Sequence, residues 1–170
     1  MEQADSHAAG EHEDEEFPPR IPASAGALIY DRRGHLLILK PTYKAGWTIP
    51  GGVMEADGET PWEACQREVT EECGLTVQRA RLAAVDFRRP RPGRPGGLRF
   101  LFDCGRLPDD MFSAIKLQAG EISEYRLVRP REAAGLLRKP IRRRVRAAWR
   151  GGTTIYLEEG RPVGAVELAR

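Results

Sequence analysis

Cysteine is scarce in this chain of 170 residues, which contains Cys65, Cys73 and Cys104 and no other. Their odd number and the lack of any C-x-x-C pair argue against a disulfide framework and against a structural zinc site; they read as buried, unreactive thiols in a reducing compartment. Long apolar runs are missing as well. No stretch approaches the roughly 20 apolar residues of a membrane span, and the N-terminus has neither a basic region nor the apolar core of a secretory signal. A cytoplasmic protein without membrane contact is the expectation. Positive charge is absent from residues 1–16, which hold seven Asp and Glu side chains and no Lys or Arg. The remaining chain therefore carries 27 basic against 18 acidic residues, hidden under a formal net charge of +2. Such a body favours anionic partners, phosphates first among them.

What is present is enough for one domain, since 41% of residues are hydrophobic. Residues 1–20 are too polar to offset the entropy of ordering and read as a disordered acidic tail; residues 21–170 read as a single domain. "SAGALIY" and "HLLILK" look like two strands joined by a tight turn at Asp31–Gly34. "GWTIP" reads as a short third strand, cut off by Pro50 and two glycines. Thr60-Pro61-Trp62-Glu63 supplies a capping box with proline at the first helical position, and Gly74 supplies the C-terminal cap. Further strands are expected in "TVQRARLAAVDF", "LRFLFDC" and "EYRLV", a helix from Pro130, a basic helix near Pro140 to Arg150, and a terminal hairpin at about 152–168 turned at Glu158-Glu159-Gly160. Strands and helices in this order point to an α+β fold with a mixed sheet.

The helix from Thr60 carries the chemistry. At 100° per residue, Glu71 and Glu72 lie about 60° and 40° to either side of Glu68, so three carboxylates share one face. Their repulsion calls for a cation, and clustered carboxylate oxygens suit Mg²⁺, with Mn²⁺ as the alternative. Ala64, Cys65 and Val69 occupy the opposite, core-facing side. By itself E-x-x-E-E is compatible with a solvated helix face; its neighbours alter that reading.

The stretch from Gly52 to Leu75 resembles the Nudix box of the Nudix hydrolase family, G-x5-E-x7-R-E-U-x-E-E-x-G-U with U aliphatic. Glu59, Arg67-Glu68-Val69, Glu71-Glu72 and Gly74-Leu75 match in spacing, while six residues rather than five separate Gly52 from Glu59. The flanking "GWTIPGG", "GALIYDRRGHLLIL" and "EISEYRLV" extend the resemblance from Ala23 to about Arg150. It implies the Nudix fold, a mixed β-sheet sandwiched between helices (α/β/α). It implies Glu68, Glu71 and Glu72 as metal and catalytic carboxylates, with the Gly51 carbonyl completing the shell. Glu59 and Arg67 would form a structural ion pair. Another acid from a later loop, Glu121 with Glu124 in reserve, would act as base or extra ligand. The implied reaction is Mg²⁺-dependent hydrolysis of a nucleoside diphosphate linked to a moiety X. The extra loop residue leaves the helix register untouched and bears on where the Gly51 carbonyl lies.

Arg88, Arg89, Arg91 and Arg94 share one proline-rich loop and are candidates for substrate phosphates. "RKPIRRRVRAAWR" has seven basic residues and apolar positions at helical spacing, reading as a helix packed on the sheet with a basic outer face. RNA 5′ ends remain admissible partners, as does a homodimer. Trp47, before the Pro-Gly-Gly turn, reads as core rather than as a base-stacking platform. The reading from a different class is a Nudix-fold module that binds a nucleotide or RNA without turnover.

Overall fold

The computed structural model describes residues 20–149 and 152–166. The acidic tail expected over residues 1–20 lies outside the described residues but for Arg20, and so does the end of the expected C-terminal hairpin.

Strand β1 (Ala23–Tyr30) turns through Asp31–Gly34 into β2 (Leu36–Pro41). Gly34 closes this turn in the left-handed region at φ 81°, donating to the Asp31 carbonyl. The short β3 (Gly51–Val53) precedes helix α1 (Pro61–Cys73), followed by β4 (Arg81–Arg88), β5 (Gly97–Arg106), the short α2 (Asp109–Ser113) and β6 (Ile122–Val128). Helices α3 (Pro130–Leu136) and α4 (Lys139–Ala148) and the strands β7 (Ile155–Glu158) and β8 (Arg161–Pro162) complete it. The strands form one sheet in the order β6-β2-β1-β5-β4-β7-β8, with β3 also paired to β1. The β1–β5 and β4–β7 pairs are parallel and the others antiparallel, so the sheet is mixed and the class α+β.

Both faces of the central strands are covered, which explains their unbroken apolar sequence. Alternation sends Ala25, Ala27, Ile29, Leu37 and Leu39 to the layer containing Ala64, Cys65 and Val69 of α1. Leu28, Leu36 and Ile38 face the other way, against Ile141, Val145 and Ala148 of α4 and Trp47. Burying each large aliphatic side chain contributes about 1.5–3 kcal/mol, so these two layers dominate what holds α1 and α4 in place. The three cysteines are free and buried. Among the described residues, no helix is long and apolar enough to cross a membrane.

The third strand differs from expectation. Trp47 and Thr48 make isolated bridges to Leu137 and Leu39, and the strand paired with β1 is Gly51–Val53 itself. Two glycines serve there because a side chain at Gly51 would run into the backbone of Ala25 and Gly26, and Gly51 sits at φ 140°. Helix α2 was not foreseen in the sequence; it is five residues long and has no side-chain cap.

Candidate functional site

Helix α1 is built to present its acids at a fixed place. Thr60 accepts from the N–H of Glu63 at 3.3 Å while the Glu63 carboxylate accepts from the N–H of Thr60 at 2.8 Å, which closes the capping box. Gly74 ends the helix at φ 68°, its N–H donating to the Thr70 carbonyl. With Ala64, Cys65 and Val69 fully buried on the core side, the face bearing Glu68 and Glu72 is turned toward β3.

There the glycine pair meets the acids directly. The Gly51 N–H donates to Oε2 of Glu72 at 2.8 Å. A Cβ on Gly52 would collide with the Glu68 carboxylate, so the missing side chain is the space in which that carboxylate rests. Glu72 is buried, at 6% exposure. Burial pushes its pKa up to about 7, with Glu68 and Glu121 raising it further and the Gly51 N–H and Lys44 working against them. Burial also raises Glu68, opposed by Arg67 and reinforced by Glu71 and Glu121.

Glu121 thus belongs electrostatically to the same cluster. Its segment is tied to the end of α1, where Lys116 N–H donates to the Cys73 carbonyl at 3.0 Å and Gln118 N–H to that of Glu72 at 3.3 Å. The Thr42 N–H holds the Glu121 carbonyl at 2.8 Å. Glu124 is drawn elsewhere, bonded to Arg126 at 2.7 Å.

Arg67 grips Glu59 with two bonds, Nε to Oε1 at 2.7 Å and Nη2 to Oε2 at 3.2 Å, and also donates to the Val53 carbonyl at 3.1 Å. Its Nη1 reaches Glu68 at 2.9 Å and Glu71 at 3.0 Å. Glu71, with a side chain 47% exposed, therefore stands on the guanidinium side of α1, apart from the Glu72 bond to β3. The extra loop residue is absorbed locally. Glu55 N–H donates to Glu59 Oε2 at 2.8 Å, Asp57 accepts from Glu59 N–H at 3.3 Å, and Gly58 takes φ 95° with open space around it.

The donors that converge here are carboxylate oxygens, hard ligands of the type that suits Mg²⁺ or Mn²⁺. Among the described residues no three acids stand in a ready-made coordination shell, and Arg67 and the Gly51 N–H hold oxygens of Glu68 and Glu72. The half-buried Glu68 and buried Glu72, which repel each other and are both raised by the charge of Glu121, nevertheless fit a divalent cation, which would relieve the like charges.

On the other side of β3 a cleft of about 980 Å³ reaches Gly51, Gly52 and Val53. Arg88, Arg91 and Arg94 line it, whereas Arg89 does not. Arg89 is bonded to Glu158 at 3.2 Å, with its N–H on Glu159 at 3.1 Å. Sequence reasoning missed the other cations of this wall: Lys44, Arg99, Arg138, Lys139, Arg143 and Arg144. Arg144 carried a signal, because it lies three residues from Ile141 on the helix and so flanks the apolar stripe. Trp47 is buried at 7% exposure under the guanidinium of Arg126, 4.7 Å from its ring centre.

Comparison with known proteins agrees with this geometry. The NUDIX domain family matches residues 20–149. An uncharacterized Nudix hydrolase of Pseudomonas aeruginosa is 35% identical over 114 residues, covering 63% of this chain and 57% of its own. An RNA pyrophosphohydrolase of Mannheimia succiniciproducens is 39% identical over 59 residues, covering 35% of this chain and 29% of its own. The chain thus spans well under two thirds of the length of these relatives. Among solved structures, the MutT protein of Methanosarcina mazei superposes with a TM-score of 0.64 at 26% identity, covering 76% of this chain and 93% of that one. A capped helix carrying R-E-x-x-E-E against a glycine pair, on a mixed sheet layered between helices and within a matched span of 130 residues, makes this chain a member of the NUDIX domain family, that of the Nudix hydrolases.

Proposed function

We propose that this chain is a Mg²⁺-dependent pyrophosphohydrolase that cleaves a nucleoside diphosphate linked to a moiety X. The observation that carries this reading is the contact of Glu68 and Glu72 with the Gly51–Gly52 backbone, which also lines a cleft walled by arginines. A divalent ion held by Glu68 and Glu72 would neutralise anhydride oxygens and make the attacking water more acidic. The chain's own residues do the rest. The Gly51 N–H fixes Glu72, and Arg67 fixes the loop and the outer carboxylates. Arg88, Arg91 and Arg94 orient the phosphates. Glu121, whose charge bears on Glu72 and Glu68, would take a proton from the water, with Glu68 as the second candidate. The RNA pyrophosphohydrolase among the relatives supports the reaction class and keeps RNA 5′ ends among the substrates to be tried.

The test is a substrate panel of dNTPs, nucleotide sugars, ADP-ribose, dinucleoside polyphosphates and 5′-triphosphorylated RNA, assayed with Mg²⁺ and with Glu72→Gln. Cleavage of at least one substrate that falls about 10³-fold or more in the variant is expected. Absence of any Glu72-dependent cleavage refutes the hydrolase reading.

One observation favours a second reading, a binding module without turnover: Arg67 already supplies a cation to Glu68 and Glu71. Tight nucleotide binding that is indifferent to Mg²⁺, with no turnover, would establish it; multiple turnover would remove it.

A further inference from the structure

The cleft beside Gly51 and Gly52 has an unusual charge balance. Nine of its lining residues are Lys or Arg, and Glu159 is the one acid among them. Distant parts of the chain supply them: Arg91 and Arg94 come from the proline-rich loop, Arg99 from β5, and Arg138, Arg143 and Arg144 from the start and middle of α4.

Three of these cations are not where a merely solvated basic face would put them. The Arg144 side chain is only 16% exposed, and burial pushes its pKa down to about 10 even though Asp86 lies 3.6 Å away. Burial and the neighbouring Arg88 lower Arg99 as well. The Nε of Arg138 is buried and has no hydrogen-bond partner among the described residues. Long charged side chains ordinarily extend their heads into water, so cations held inward against their own desolvation imply a countercharge. The chain supplies carbonyls more than charge: Arg99 donates to those of Pro22, Gly96 and Leu98, and Arg144 Nε to that of Pro140 at 3.4 Å. Asp86 is shared between Arg144 and the N–H of Gly160, and Glu159 between Arg91 at 3.6 Å and the N–H of Arg89.

A single anhydride with a neutral X would leave most of this wall unpaired. Resting on the hydrolase reading above, we propose that X itself carries at least two further phosphates, as a chain or as separate esters, and that Arg138 and Arg143 bind them, with Arg99 and Arg144 adding positive potential from behind. The anhydride then lies over Gly51 and Gly52, with the carboxylates of α1 on one side and the polyphosphate group in the cleft on the other. A nucleic acid strand, whose charge is spread along its length, matches this arrangement less well than a compact polyphosphate, because arginines from a loop, a strand and a helix line one cleft.

The full-length protein is assayed with three substrates sharing adenosine: ADP-glucose, in which X is neutral; adenosine 5′-pentaphosphate, in which X is a phosphate chain; and an ADP-linked sugar bearing two phosphate esters. One or both phosphorylated substrates should exceed ADP-glucose in kcat/KM by about 100-fold at low ionic strength, and the preferred one identifies the form of X. The advantage should shrink about tenfold as salt rises from roughly 0.05 to 0.5 M. Arg138→Gln and Arg143→Gln, which keep the apolar face of α4, should each remove about tenfold of it and leave ADP-glucose cleavage within about threefold. Equal use of ADP-glucose, a preference untouched by both substitutions, or a larger preference for 5′-triphosphorylated RNA overturns the proposal. Calorimetry with inorganic tripolyphosphate separates it from the hydrolase reading. Binding that weakens in Arg138→Gln without any Glu72-dependent hydrolysis sinks the hydrolase and upholds the cleft, whereas ADP-glucose hydrolysis without tripolyphosphate binding sinks the cleft alone.

Discussion

At Gly51 and Gly52 one added methyl group would cause two different failures. On Gly52 it would meet the carboxylate of Glu68, the far end of a flexible side chain that can swing aside. Gly52→Ala is therefore expected to stay within about 1 kcal/mol of the parent in stability and to lose at least about tenfold in Mg²⁺-dependent kcat. On Gly51 the methyl would meet backbone atoms of Ala25 and Gly26, at a φ of 140° that side chains rarely tolerate. Gly51→Ala should cost about 2 kcal/mol or more of folding stability. Thermal unfolding run beside kinetics distinguishes the two, and an identical profile for both variants would contradict the assignment. Glu72 makes a separate prediction through pH. Burial raises it from 4.5 to about 7, so the folded, metal-free chain holds its proton where the unfolded chain has lost it. Its contribution to stability is complete below about pH 4.5 and is lost as pH rises through 7. Between pH 5 and 8 the metal-free Tm should fall more steeply than that of Glu72→Gln, and Mg²⁺ at pH 8 should restore it. Parallel slopes for the two proteins would count against this.

Helix α1 was legible in the sequence because its signals are local. Thr60, Pro61, Glu63 and Gly74 announce its ends within the helix's own residues, and the Glu68, Glu71 and Glu72 spacing announces its face. Thr60→Ala should accordingly destabilise the protein by about 1 kcal/mol, read from chemical denaturation, through loss of the bond to Glu63 N–H. Strand β3 was not legible. Its pairing with β1 depends on how closely two backbones approach, and Gly-Gly is a poor strand former until the partner Gly26 and the carbonyl of Ala25 are in place. The basic wall escaped for a related reason. Its members lie on a loop, a strand and a helix far apart in sequence, and only the fold brings them to one volume. The loop before α1 is anchored at its far end by Glu59 on Arg67, and the strand before it by Gly51 on Glu72. Deleting Ala56 should therefore leave kcat/KM within about threefold; a loss of a hundredfold or more would mean that the longer loop itself touches substrate.

Across the whole molecule, Asp86 joins three elements that are remote in the chain. It is 1% exposed on β4, accepts from Gly160 N–H of the β7–β8 turn at 2.7 Å, and faces Arg144 of α4 at 3.6 Å. Asp86→Ala would leave Arg144 buried without its countercharge, with the Pro140 carbonyl still on its Nε, and should cost about 3–5 kcal/mol, whereas Arg144→Met, which removes the stranded cation as well, should recover part of that loss in the double variant. A double variant whose loss equals the sum of the two single losses would show that the two groups do not interact. The same hairpin settles how the sheet stops. Among the described residues its outer strands are β6 at one side and the two-residue β8 at the other, where Pro162 has no N–H to offer a further strand and Arg161 is charged. Strand addition by another polypeptide is thereby discouraged beside β7, and β6, seven residues long, is the longer of the two outer strands open to self-association.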